Sequence, residues 1–197
     1  MTLAAFLIIQ CVMLAAWWRL LALQRRLSVS ERLLIAGVGY FTQIIASGIA
    51  LGLLHRLTPQ RHLQANLLIT LAIVVFAMTR PIPARTARPL LPPLGAGGLR
   101  VVNLALLGTL MLTLVAIVRR AAIAMTPGYD ALTYHLPMVV SMIKQHHLRP
   151  WATYIPIVYS YPKSVQLYMT WVLGFFGHDR WIDLSQLPFL PLAMLAV

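Results

Sequence analysis

The sequence predicts an all-α, polytopic membrane bundle of about six transmembrane spans, with one interfacial amphipathic helix in an extracytoplasmic loop. Three observations predict it. Hydrophobic residues make up 60% of the 197 and charged residues 10%, far from the roughly 25% charged of soluble domains. The mean hydropathy is +0.80. Apolar runs of roughly 17 to 22 residues recur, each long enough as a helix to cross a hydrocarbon core of about 30 Å.

The charge pattern supports the same class. Sixteen Lys and Arg face four Asp and Glu, a formal net charge of +12. On a soluble chain this imbalance would point to nucleic acid. Here the arginines fall in short connections between apolar runs, where they act as topology signals, so nucleic acid is not an expected partner. The single cysteine, Cys11, lies inside the first run, which excludes an intrachain disulfide. The N-terminus "MTLAAFLIIQ" has no basic n-region and no cleavage site follows, so the first run is expected to remain as a helix.

Taken in order, the first span is expected over Leu3 to Leu23, with Trp17, Trp18 and Arg19 as an interfacial anchor. The second, Leu33 to Leu54, contains Gly37, Gly39, Gly48 and Gly52, small residues that permit close helix contact. The third, Leu63 to Thr79, is short and opens with the polar Gln64 and Asn66. The fourth runs from Val101 to Val118.

The first connection holds Arg25, Arg26 and Arg32, and the third, a proline-studded loop, holds Arg80, Arg85, Arg88 and Arg100. The second holds only Arg56 and Arg61. The positive-inside rule then makes connections one and three cytoplasmic and the N-terminus extracytoplasmic. Arg119 and Arg120 oppose this assignment and are outnumbered.

Residues 1–118 therefore read as four N-terminal spans, 119–162 as an elaborated extracytoplasmic loop, and 163–197 as two further spans. Within the loop, "PMVVSMIKQHHL" predicts an interfacial helix opened by Pro137. Val139, Met142, Ile143 and His146 share one face of it, with Lys144 and Gln145 opposite. A fifth span is expected over Lys163 to Phe176, and a sixth begins near Trp181 and is still apolar at Val197. The chain reads as the N-terminal part of a longer protein.

Loops of about 40 residues inside a compact design are usually functional. On this topology Asp130 is the only carboxylate on the extracytoplasmic face. Such a group can act as a general base toward a substrate hydroxyl, or serve as a helix N-cap. His135 is either a proton carrier or a backbone-bonded interfacial histidine. Lys163 and Arg149 either snorkel to the interface or pair with a lipid phosphate. Trp151, Tyr154, Tyr159 and Tyr161 fit an aromatic belt or a sugar-stacking surface. No spaced set of His, Cys and carboxylate ligands supports a metal, and no cofactor is expected.

The stretches "YDALTYHLPMVV" and "YPKSVQLYMTWVLGFFGHDRWIDLSQ" carry a resemblance. Together, over Thr126 to Gln186, they resemble the GT-C membrane glycosyltransferases. The nearest likeness is to the bacterial branch whose first periplasmic loop carries a W/Y-D-x-x-x-Y-H-x-P motif. The resemblance implies a bacterial inner-membrane enzyme that moves a sugar from a polyprenyl-phosphate donor to an extracytoplasmic glycan, lipid or protein acceptor, with inversion. It implies Asp130 as the base and Tyr134 and His135 as substrate-binding support. Lys163, Arg149 and Tyr161 are expected near the lipid donor. Two positions depart from the branch: Ala131 stands where many members carry a second acid, and Met138 where an arginine is common. A non-catalytic truncated relative or membrane interaction subunit is the second reading. A proton-coupled transporter is the third.

Overall fold

The computed structural model describes residues 2–24, 27–81, 135–148 and 163–177, with isolated positions between 108 and 119 and between 182 and 192. Five helices are continuous among them: α1 (Leu3–Leu21), α2 (Val29–Leu53), α3 (Pro59–Met78), α4 (Leu136–Gln145) and α5 (Ser164–Phe176). No strand occurs among the described residues. Of the loop expected over 119–162, Arg119 and residues 135–148 are described. In the expected fourth span, Gly108, Thr109, Leu112, Thr113, Val115 and Ala116 are described, and each is helical.

The first three helices start at side-chain caps that satisfy orphan backbone donors. Thr2 accepts from Ala5 N at 3.3 Å, and Thr58 accepts from Arg61 N at 3.2 Å just ahead of Pro59. Ser28 and Glu31 form a reciprocal capping box, at 3.2 and 2.7 Å. With 19, 25 and 20 residues, these three helices are long and apolar enough to cross a membrane. Each packs on the other two. Helix α2 turns back on α1, pairing Gln10 with Tyr40 and Trp18 with Arg32. Helix α3 turns back on α2, pairing His62 with Ile44, and Asn66 and Thr70 with Gln43.

The bundle is apolar outside and sets a band of polar residues within its hydrophobic core. Leu7, Ile8, Leu68, Leu71, Val75 and Phe76 are exposed, while Gln10, Gln43, Ser47, His62, Asn66 and Thr70 are buried. That is the arrangement a bilayer favours, because outward apolar side chains meet hydrocarbon and inward polar ones bond between helices.

Three expectations are corrected. Arg32 does not belong to the first connection. The capping box starts α2 at Val29, which puts Arg32 in its first turn, 3% exposed, with its guanidinium 5.2 Å from the Trp18 ring centroid. His146 does not share the apolar face of α4. It adopts a left-handed backbone (φ 60°) that ends the helix exposed, and its carbonyl accepts from Leu57 N at 3.0 Å. Helix α5 has the expected bounds but only 13 residues, about 20 Å, which is short of a crossing. Gln166 through Val172 are all buried, so it is an interior helix rather than a lipid-facing one.

The glycines of α2 each meet a different neighbour. Gly37 faces Leu192, Gly39 the Trp17 indole, Gly48 Leu167 and His62, and Gly52 Leu148. A Cβ at Gly39 would lie 2.6 Å from carbons of the Trp17 ring, which is rigid and held through Nε1 on Gln43 at 2.9 Å. Gly39→Ala is therefore expected to destabilise the bundle by about 1–3 kcal/mol, the usual range for overpacking. Gly108→Ala, with nothing within 4 Å of its Cβ, should be neutral or mildly stabilising. Thermal unfolding of both variants in one detergent checks the pair.

Candidate functional site

Of the residues singled out by sequence, Asp130, Tyr134, Arg149 and Tyr161 lie outside the described residues. His135 and Lys163 are described, and the fold brings them to one place. They stand 28 positions apart in the chain, each at the start of a helix, and α4 and α5 lie side by side. Two cross-contacts tie these starts together. Gln166 Nε2 donates to His135 Nδ1 at 2.9 Å, and Lys163 Nζ reaches Met138 Sδ at 3.5 Å.

Apolar packing fixes this pairing on both flanks. Met138 and Met142 of α4 bury with Leu167 of α5 and Leu57 of the α2–α3 connection. On the other flank Val139 buries with Met169 and Ile182. His135 and Lys163 thus stand on a packed base and stay half-buried themselves.

An amide nitrogen can only donate, so Nδ1 of His135 is the acceptor of this bond, which fixes the orientation of the ring. Burial holds the Lys163 ammonium below the ordinary lysine range, so its charge is incompletely hydrated. A cation in that condition gains more from an anionic neighbour than one fully in water.

Sequence reasoning missed Gln166, which is fully buried, and the polar core that continues from it. Thr170 Oγ1 donates to Gln166 O at 2.7 Å. Elsewhere on α5, Tyr168 shares a hydroxyl–hydroxyl bond with Tyr40 at 3.1 Å; Gln10 Oε1 accepts from Tyr40 OH and, at 3.2 Å, from Trp171 Nε1. A second network joins α1, α2 and α3. Gln43 accepts from Trp17 and donates to Asn66 O and Thr70 Oγ1, and Asn66 donates to Ser47 Oγ at 2.9 Å. His62 Nε2 bonds Ile44 O at 2.9 Å, leaving its buried Nδ1 without a hydrogen-bond partner. The signal was available: His62, Asn66 and Thr70 recur at intervals of four, the spacing of one helical stripe.

Beside this core lies a cavity of about 430 Å³, where the C-terminal half of α5 meets the start of α3. Pro59, His62, Thr170, Trp171, Gly174 and Phe175 are among its walls. Among the described residues no group of three or more His, Cys, Asp and Glu is placed to hold a metal ion.

The chain matches no model of a known protein family, no curated protein and no solved structure.

Proposed function

We propose that this chain is a membrane glycosyltransferase of the GT-C kind, or the N-terminal part of one, with α1, α2 and α3 among its spans in a bacterial inner membrane. It moves a sugar from a polyprenyl-phosphate donor to an acceptor on the extracytoplasmic face. The observation that carries this reading is the pairing of two helix starts: Gln166, near Lys163 in the second resembling stretch, bonds His135 of the Y-D-x-x-x-Y-H-x-P stretch, and Lys163 reaches Met138 just beyond it. Two segments singled out separately in the sequence contribute to one place.

Asp130 takes the proton of the acceptor hydroxyl as its oxygen attacks the anomeric carbon. The bond from that carbon to the phosphate oxygen breaks on the opposite face, inverting the configuration, and the lipid phosphate departs with the electron pair. The phosphate is anionic in the donor already, and the partly desolvated Lys163 is given the role of binding it before and during its departure. His135, at the start of the neighbouring helix, is the substrate-binding support that the resemblance implies. The extracytoplasmic assignment draws support from the contact between the α2–α3 connection and the end of α4, two segments that the arginine pattern puts on one face.

The test uses the intact protein in liposomes with a labelled polyprenyl-phosphate sugar and envelope acceptors. Sugar transfer is the expected outcome, and Lys163→Gln should raise KM for the donor about tenfold with a smaller effect on kcat. A proton-coupled transporter is the second reading, favoured by His62, an ionisable group 1% exposed inside α3. Absence of sugar transfer combined with proton uptake that His62→Gln abolishes would replace the first reading with the second.

A further inference from the structure

We propose that the end of the molecule formed by the α2–α3 connection and the C-terminus of α4 is a binding surface for the phosphate of an anionic phospholipid headgroup. His55, Arg56, Arg61, Lys144 and His146 are all exposed there. Glu31, the only carboxylate among the described residues, stands in the first turn of α2, near the opposite end of a helix of about 37 Å. The cations of this surface therefore have no acid within reach among the described residues.

The surface is built on a firm base. Leu57 N donates to His146 O at 3.0 Å, and Leu57 itself is fully buried. The His55 and His147 rings meet edge to face at 5.3 Å, and Leu148 packs on Gly52. These contacts hold two chain segments, about 90 residues apart in sequence, as one cationic rim.

Backbone conformation gives an independent pointer. His55 (φ 55°) and His146 (φ 60°) are the two non-glycine residues with left-handed backbone among the described residues, and both belong to this rim. Glycine usually occupies such positions after a helix because a Cβ is strained there. A histidine thus stands in each place where glycine would be relaxed, and the cations Arg56 and Lys144 lie within two residues of them in the chain.

The neighbouring residues select a lipid over a dissolved anion. Leu53 and Leu54, immediately before His55, are 69% and 66% exposed. An exposed apolar pair followed within two residues by Arg56 fits the boundary between acyl chains and headgroups, with the leucines in hydrocarbon and the guanidinium at phosphate depth. The rim lies at the far end of α4 from His135 and Lys163, about 15 Å along a ten-residue helix, so it is separate from the proposed donor site.

The intact protein, reconstituted in bilayers of phosphatidylcholine with a minority of phosphatidylglycerol, tests this. Native mass spectrometry of the released protein reads which lipids it retains. Phosphatidylglycerol should be enriched, and Arg56→Gln with Lys144→Gln should lower its ratio to phosphatidylcholine about tenfold. The pair His55→Gly and His146→Gly should lower the same ratio while Tm stays level or rises, because backbone strain is relieved at both sites. An unchanged ratio in the Arg56/Lys144 variant overturns the surface. A fall in Tm for the glycine pair overturns the assignment of its two histidines to binding, and displacement of the lipid by inorganic phosphate overturns the lipid as the occupant. None of these outcomes depends on sugar transfer, so this surface and the proposed enzyme stand or fall separately.

Discussion

Asp130→Asn in the intact protein is expected to reduce sugar transfer by about 10²–10⁴-fold, the usual contribution of a general base. Asparagine keeps the size and most of the hydrogen bonding of aspartate but cannot accept the acceptor's proton. The loss should therefore fall on kcat, with KM for the lipid donor and the expression level unchanged. It should also remove the acidic limb of the pH–rate profile, because that limb reports ionisation of the base. Transfer at the wild-type rate in this variant would remove Asp130 from the mechanism. Lys163→Gln should do the reverse and act mainly through KM, and the two variants together separate proton abstraction from phosphate binding.

The largest structural effect is expected at Trp171, which is buried near the middle of α5. Its ring meets Phe175 at 4.8 Å and His62 at 5.2 Å, both edge to face, and its Nε1 donates to Gln10. Trp171→Ala removes all of these at once and opens a void beside an existing cavity, a loss of about 3–5 kcal/mol. Trp171→Phe keeps most of the ring contact and gives up only the N–H donor. Gln10 Oε1 would still accept from Tyr40, so that variant should cost about 1 kcal/mol. Unfolding in a single detergent measures both. Equal losses would mean that the hydrogen bond, rather than packing, holds this junction.

The hydrophobic runs made α1, α2 and α3 legible, because length and apolar content decide what can cross a bilayer. Helix α4 was legible from Pro137 and its apolar spacing, up to the residue where the chain reverses. His146 was misplaced because periodicity assumes the helix continues, and a left-handed residue leaves no trace in an apolar pattern. Arg32 was misplaced because a charge beside an apolar run looks like its boundary. The Ser28–Glu31 capping box, readable in "SVSE", marks the true start. His135 and Lys163 could be named individually, but their meeting depends on α4 and α5 packing along two apolar flanks, a long-range fact. Gln166 was passed over for the same reason. Inside an apolar run it reads as an exception to hydropathy, and only the fold supplies His135 as the reason for it.

The length of α5 has a consequence for the barrier itself. Thirteen residues rise about 20 Å, and a hydrocarbon core is about 30 Å deep, so about 10 Å along its direction must be filled by something else. Gly177, at φ 70°, fixes where the helix stops, and the cavity walled by Gly174, Phe175 and His62 opens beside that end. The step lies inside the protein, where the helix is held on α2, α3 and α4 and other parts of the chain, rather than lipid, meet its ends. Lengthening α5 by one turn would close that step, and the depth to which water or a headgroup can descend beside His62 would shrink with it.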